Sequence, residues 1–178
     1  MIYYFTPYST EKNIGKAYND YCKIVPNDDD WICLMDGDIA FLHPQWGHDI
    51  EGYVRNKKEY DLLTAYTFRT RNRNQKFKRT IWNDTNVVRL FQEAEKQSMY
   101  IKDWSVKPVH SDIAGFLMLF RKSLWNEIPF PEEKILGIDT AWSMNVLRAK
   151  KRIGVMEKVV CFHYYRHHKP LENVNHLK

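Results

Sequence analysis

The sequence predicts an α/β fold with a mostly parallel sheet flanked by helices, because segments of strand periodicity alternate with segments of helical periodicity. Its 178 residues are enough for one domain that folds around its own core. A hydrophobic fraction of 44% and an aromatic fraction of 15% exclude a disordered chain. Since no repeat, low-complexity tract or linker interrupts the pattern, we expect a single domain over residues 1–178.

The chain up to residue 69 contains three predicted strands and two predicted helices. Apolar runs indicate the strands, and apolar residues at helical spacing indicate the helices. In chain order these elements are a strand at 2–5, a helix within 10–25 capped by Thr10 or Asn13, a strand at 31–35, a helix from Pro44 to about Lys58 and a strand at 61–69.

Residues 70–112 have weak periodicity, and only "VVRLFQEAEKQ" (87–97) predicts a helix there. A long segment of this kind usually serves as a functional loop, so we expect a lid. The last part predicts a strand that runs into a short helix at 113–128, a helix at 137–151 and a pair of strands at 152–166, followed by a polar tail at 167–178.

The net charge of +5 is concentrated in "RTRNRNQKFKR" (69–79), which contains six basic residues and no acid. Such a run attracts phosphate groups, although a solvated loop without a partner is an equally good interpretation. No apolar stretch approaches the roughly 18 residues of a membrane-spanning helix, and no leader pattern opens the chain. The three cysteines, Cys22, Cys33 and Cys161, are too scattered for a disulfide framework. We therefore expect reduced thiols in a cytoplasmic protein, with peripheral contact to an anionic inner membrane face as one alternative.

The stretch "WICLMDGDIAFL" (31–42) places Asp36 and Asp38 on either side of Gly37, directly after a buried strand. In an extended chain the two carboxylates face the same side and repel each other unless a cation lies between them. Mg²⁺ and Mn²⁺ prefer such oxygen ligands and bind substrate phosphates through their open positions. Gly37 allows a tight turn at the end of the strand. An Asp-Gly-Asp triplet alone is more often an ordinary turn, so the preceding strand is what favours a site.

Four segments together resemble the GT-A-fold glycosyltransferases, most of all glycosyltransferase family 2. "KNIGKAYNDYCKIVPNDDDWICLMDGDIAFL" is similar to the family's nucleotide-sugar-binding half, in which an "N-x-G" helix precedes a strand that ends in a DxD motif. "AGFLMLFRKSLWNEIPFPEE", "GIDTAW" and "VVCFHYYR" resemble its later strand, its acidic acceptor-side motif and its late metal-binding histidine. The resemblance covers most of the chain and implies a GT-A fold.

The resemblance implies a role for each matching residue. Asp36, Asp38 and His163 would hold a divalent cation, with Asp38 as the more direct carboxylate ligand. An imidazole ligand favours Mn²⁺ over Mg²⁺. Asp139 would be the general base that deprotonates the acceptor hydroxyl in an inverting enzyme. Without the resemblance, His163 would be interpreted as a core histidine and Asp139 as a helix N-terminal acid.

Further residues are assigned to the two substrates. The family's second β/α unit is missing between the first strand and the "N-x-G" helix, so the nucleotide-binding half is truncated. Residues 1–69 would bind the nucleotide-sugar, 70–112 would form the lid and 113–166 would bind the acceptor. The candidates for donor contacts are Thr6, Pro7, Tyr8, Asn13, Asp36, Gly37 and Gly115, and those for acceptor contacts are Trp142 and Trp82.

The resulting hypothesis is a metal-dependent glycosyltransferase of the kind used in polysaccharide biosynthesis. It would move a sugar from a nucleotide-sugar, with a UDP-hexose as first choice, to a hydroxyl of a glycan or a lipid-linked saccharide. No nucleic acid partner is expected. Two alternatives stay open, a metal-dependent phosphoesterase or nuclease and a non-catalytic anion-binding module.

Overall fold

The computed structural model describes residues 1–77, 84, 86–133 and 136–164, and in this part of the chain the fold is α/β. Seven strands and five helices are present within these residues. The strands are β1 (Ile2–Phe5), β2 (Trp31–Met35), β3 (Ile39–Phe41), β4 (Leu62–Thr67), β5 (Val106–Val109), β6 (Leu117–Arg121) and β7 (Ile153–His163). The helices are α1 (Ile14–Lys23), α2 (Trp46–Asn56), α3 (Val87–Tyr100), α4 (Lys122–Glu127) and α5 (Ile138–Arg148).

The sheet is mixed, so the prediction of a mostly parallel sheet is wrong. Its strand order is β1-β2-β6-β4-β7-β3, with β5 also paired to β7. Only the pairs β1–β2 and β4–β7 are parallel among the described strands. The strand β6 runs antiparallel between β2 and β4, and the short strands β3 and β5 are antiparallel to β7. Strand direction depends on these long-range pairings, which local periodicity does not report.

A single long strand, β7, organises the second half of the sheet. One edge of β7 pairs with β4, and its other edge pairs first with β5 and then with β3. The predicted pair of strands at 152–166 is therefore wrong within the described residues. Glu157 and Lys158 interrupt the apolar pattern, but the backbone stays extended while the pairing with β4 shifts register.

The sheet curls so that β2 and β3 approach each other. In the strand order they are separated by β6, β4 and β7, which corresponds to about 19 Å in a flat sheet. Only Asp36, Gly37 and Asp38 connect Met35 to Ile39, and such a connection reaches at most about 14 Å. The Asp-Gly-Asp turn is therefore possible only in a curled sheet, and the curl brings the end of β7 to this turn.

Both faces of the sheet are buried, which explains the continuous apolar run of β2. Ile32 and Leu34 contribute to one core group, packed against α1, α3, α4 and α5. Trp31 and Cys33 contribute to a second group on the opposite face, packed against α2. A strand covered on both faces shows no polar alternation.

Most elements predicted from the sequence are confirmed, including the Asn13 cap, whose side chain accepts a hydrogen bond from the Lys16 backbone N–H. The chain passes directly from β1 to α1, as expected. Within the described part of residues 70–112, the strand β5 is present as well as the predicted helix α3. The cysteines at 22, 33 and 161 are buried free thiols. No described helix is long and apolar enough to cross a membrane.

Candidate metal centre and catalytic cavity

Three side chains from opposite ends of the chain meet at the Asp-Gly-Asp turn. Ligand atoms of Asp36, Asp38 and His163 all lie within 4.8 Å of one another. His163 Nε2 is 3.2 Å from Asp38 Oδ1 and 3.6 Å from Asp36 Oδ2. Two ligands of one cation, each bonded at about 2.1 Å, are separated by about 3 Å, so these distances suit a shared ion.

Backbone pairing on both sides of the turn positions this group. The Asp36 N–H donates to the Phe116 carbonyl oxygen at 3.0 Å, which continues the pairing of β2 with β6. The Tyr164 N–H donates to the Asp38 carbonyl oxygen at 2.8 Å, and Ile39 pairs with His163 in the β3–β7 ladder. The two carboxylates and the imidazole are therefore placed by the sheet itself.

The electrostatics of the group agree with a cation site. Burial, together with the charges of Asp38 and Asp139, raises the pKa of Asp36 to about 6. Burial lowers the pKa of His163, although Asp38 and the backbone of Arg69 act in the opposite direction. A neutral imidazole is the form that binds metals. A divalent cation would relieve the repulsion between the carboxylates.

A cavity of about 650 Å³ opens beside the group. It is lined by residues 69–74 and 111–116, by Asp36 and His163, and by residues 136, 137, 139 and 140 at the start of α5. This volume is within the usual range for small-molecule sites. The cavity joins one side of the cation group to the predicted general base.

Asp139 lies in the first turn of α5, as predicted, and its carboxylate faces the cavity. Its Oδ2 atom accepts a hydrogen bond from the Gly115 N–H at 2.7 Å. A Cβ atom at Gly115 would lie only 2.7 Å from Asp139 Cβ, so the glycine permits this close approach. The structure thus brings together Asp139, Gly115, Asp36 and His163 around one cavity.

The predicted donor-binding residues of the first loop lie outside the cavity lining, and Thr6 lies near the turn. A Cβ atom at Gly37 would be 3.3 Å from the Thr6 methyl group, which places the end of β1 beside the turn. Gly37 does not have a positive φ angle, so this close approach, rather than a left-handed turn, is the feature that favours glycine. Pro7 is half-buried, and Tyr8 is 77% exposed and available for stacking.

Asn13 has a structural role in addition to any contact with a donor. Its Oδ1 atom accepts the Lys16 N–H, and its Nδ2 atom donates to the Glu132 carbonyl oxygen at 3.1 Å. The side chain therefore caps α1 and fixes it to the segment that follows α4. Both polar groups of this amide are engaged, which is the physical reason to assign Asn13 to the scaffold.

The expectation that Trp142 contacts an acceptor is wrong. Its side chain is 0% exposed and stacks on Phe130, with ring centroids 4.1 Å apart. The indole N–H donates to the Ile128 carbonyl oxygen at 2.6 Å. Helical position 142 points into the core although its neighbour Asp139 faces the cavity. The second acceptor candidate, Trp82, lies outside the described residues.

Sequence reasoning missed two parts of the site. Arg69 stands at the end of the predicted strand and at the start of the basic run, and it is only 2% exposed and lines the cavity beside His163. Tyr18 of α1 lies near both carboxylates: burial raises the pKa of its hydroxyl, and the charges of Asp36 and Asp139 act in the same direction. The absence of acidic residues from the basic run was the only local feature of the sequence that could have indicated a role for Arg69 in the site.

No protein-family model matches the chain, and a search of curated proteins gives no match. The functional assignment therefore depends on the geometry and chemistry of the site.

Proposed function

We propose that the protein is a metal-dependent glycosyltransferase with a GT-A type of fold, acting on a nucleotide-sugar donor and a saccharide acceptor. The observation that carries this proposal is the meeting of Asp36 and Asp38 with His163, within 4.8 Å and beside the cavity that contains Asp139. The resemblance assigns these four residues from separate motifs. Their spatial proximity supports that assignment, because spacing in the sequence does not require it.

Asp36, Asp38 and His163 would hold the cation, with Mn²⁺ as first choice and Mg²⁺ as second. When bound, such a cation supplies Lewis acidity that neutralises the charge on a leaving nucleoside diphosphate. The side chain of Asp38 is half exposed, whereas that of His163 is nearly buried. His163 would therefore bind the cation from its buried side. The exposed side near Asp38 would leave room for the diphosphate.

Asp139 would act as the general base for the attacking hydroxyl. The Gly115 N–H holds one of its carboxylate oxygens, so the other oxygen can accept the proton of the acceptor. The oxygen of the acceptor then attacks the anomeric carbon while the bond between this carbon and the diphosphate breaks. The hydrogen bond from Gly115 orients the carboxylate.

The alternative functions have less support. Phosphoesterases and nucleases that use two metals need several further carboxylates around one point. Within the described residues, Asp36, Asp38 and His163 form the one group of metal-binding type. A non-catalytic anion-binding module would not require Asp139 to lie beside such a group.

Release of UDP from UDP-hexoses in the presence and absence of Mn²⁺ tests the proposal. We expect turnover that EDTA abolishes and Mn²⁺ restores. Asp38→Ala should reduce it by more than about 100-fold, and Asp139→Asn should reduce transfer by about 10²–10⁴-fold because the base is lost. Asp29→Asn changes an exposed acid far from the cavity and serves as the matched control.

Calorimetric titration with UDP, GDP and dTDP in the presence of Mn²⁺ identifies the nucleotide independently of the acceptor. Binding of one of them that depends on both Mn²⁺ and Asp38 is the expected result. The absence of Mn²⁺-dependent binding for all three nucleotides would contradict the proposal.

A further inference from the structure

The loop after β4 is held against the cavity by amide side chains. Asn72 Nδ2 donates to the Asp112 carbonyl oxygen at 2.7 Å. Gln75 is fully buried, and its amide donates to the carbonyl oxygen of Ala114 and accepts the N–H of the same residue. This half of the basic run is therefore a fixed wall of the cavity and not a solvated loop.

Three arginines alternate with polar residues along this wall. Arg69, Arg71 and Arg73 all line the cavity. Arg69 is buried beside His163, at the metal end. Arg71 and Arg73 are exposed and flank Asn72, which is bonded to Asp112, so they lie beside residues 111–114.

Three carboxylates also line the cavity, and each has a described environment. Asp36 belongs to the cation centre. Asp139 Oδ2 accepts the Gly115 N–H at 2.7 Å, and Asp112 Oδ2 accepts the Thr140 hydroxyl at 3.3 Å. Arg69, Arg71 and Arg73 place three positive charges along one wall of the cavity, and this concentration of charge favours an anionic ligand.

The position of Arg71 and Arg73 relative to Asp139 indicates which substrate they would bind. Thr140 follows Asp139 in α5 and donates to Asp112, and the backbone of Asp112 holds Asn72. The two arginines thus adjoin the side of the cavity where Asp139 would meet an acceptor. This is a different position from that of Arg69 at the metal end.

We propose that Arg71 and Arg73 bind an anionic group of the acceptor, a phosphate or a carboxylate, close to the hydroxyl that Asp139 deprotonates. This inference rests on the proposed function and extends it, because it defines the acceptor as an acidic saccharide. Guanidinium groups bind both anions with paired hydrogen bonds. An acceptor anchored in this way would present its hydroxyl to Asp139 in a fixed orientation.

Binding of small anions to the metal-free protein tests the subsite directly. The probes are glycerol 2-phosphate for a phosphate, glucuronate for a carboxylate and glucose as the neutral compound, followed by NMR titration in EDTA. We expect saturable binding of at least one anion and none of glucose. The double variant Arg71→Gln/Arg73→Gln should weaken anion binding at least about tenfold, since both charge-assisted contacts are lost.

The matched control is Lys102→Gln/Lys107→Gln, which removes two exposed positive charges outside the cavity lining. It should bind the anions as the wild type does. The two anions distinguish between the two kinds of acceptor. Selective binding of glycerol 2-phosphate indicates a phosphorylated acceptor, and selective binding of glucuronate indicates a uronic acid. Lack of saturable binding to the wild type, or equal binding to wild type and Arg71→Gln/Arg73→Gln, would overturn the proposal.

Nucleotide binding distinguishes a failure of this proposal from a failure of the proposed function on which it rests. The nucleoside diphosphate that binds the wild type in the presence of Mn²⁺ should bind the arginine double variant within about twofold, as expected if those contacts belong to the acceptor. A loss of nucleotide affinity as large as the loss of anion affinity would assign the arginines to the donor and overturn the inference. If the wild type binds no nucleotide with Mn²⁺, the proposed function and the acceptor role fail together, whatever the free anions do.

Discussion

The pKa of Asp36 shows how burial and neighbouring charges act in the candidate metal centre. Burial disfavours its charged form, and the neighbouring charges of Asp38 and Asp139 act in the same direction, so its pKa is about 6. Asp38, in contrast, is half exposed and lies closer to His163. The two aspartates of the motif therefore lie in different environments although their sequence contexts are similar.

We expect the affinity for Mn²⁺ to depend on pH through Asp36. Below a pH of about 6 the carboxyl holds a proton that a cation must displace, so the affinity should fall by up to about tenfold per pH unit. Above this pH the carboxylate is charged and the affinity should reach a plateau. Calorimetric titrations from about pH 5 to about pH 8 measure the effect, and Asp36→Asn should remove this step. An affinity that stays constant over this range would contradict the assignment of Asp36 as a ligand.

At the scale of elements, the loop after β4 depends on one buried amide. Gln75 donates to Thr64 Oγ1 at 2.7 Å and bonds the backbone of Ala114, so it links β4 to the segment before β6. These contacts hold one wall of the cavity in position. The element is therefore part of the scaffold of the site, although its sequence is typical of a surface loop.

Replacing this amide should destabilise the protein. Gln75→Leu leaves the partly buried N–H and C=O of Ala114 without their Gln75 partners and the buried Thr64 hydroxyl without its donor, and we expect a loss of roughly 2–4 kcal/mol in the free energy of unfolding. Gln92→Leu makes the same change at an exposed position of α3 and should alter it by less than about 0.5 kcal/mol. Urea denaturation monitored by circular dichroism compares the two variants. Equal stabilities would show that the loop is not held by Gln75.

At the scale of the whole molecule, the curled sheet assembles the candidate metal centre from residues that are far apart in the sequence. The Asp-Gly-Asp turn and His163 belong to distant parts of the chain, and the β3–β7 ladder brings them together. An unfolded chain does not contain this arrangement. Binding of a cation by these three residues would therefore be thermodynamically linked to folding.

This linkage predicts that Mn²⁺ stabilises the fold. At a concentration about 100 times its dissociation constant, the ion should contribute about 2.7 kcal/mol and raise the melting temperature by about 5–10 °C. The variants Asp38→Ala and His163→Ala should respond much less, since each lacks one ligand. Scanning calorimetry with Mn²⁺ and then with EDTA measures the shift. A melting temperature unaffected by millimolar Mn²⁺ would contradict the presence of the centre.

Local patterns were sufficient to predict elements that show a clear periodicity or a long apolar run. The helical spacing of α1 and the apolar run of β2 are examples, and both are confirmed. The strands β3 and β5 were missed because each is short and acquires its strand conformation only by pairing with β7. Trp142 was misassigned because its proximity in sequence to Asp139 does not reveal which side of α5 each residue faces.

The sequence by itself determined the α/β class, the order of most elements and the residue types from which a cation centre and a base could be built. Only the tertiary structure decided that the sheet is mixed and curled, that Asp38 lies 3.2 Å from His163 and that Arg69 is buried at the cavity. The physical reason is the distance along the sequence over which the interactions act. Periodicity and capping depend on interactions between residues a few positions apart, whereas the site is formed by strand pairing between distant segments.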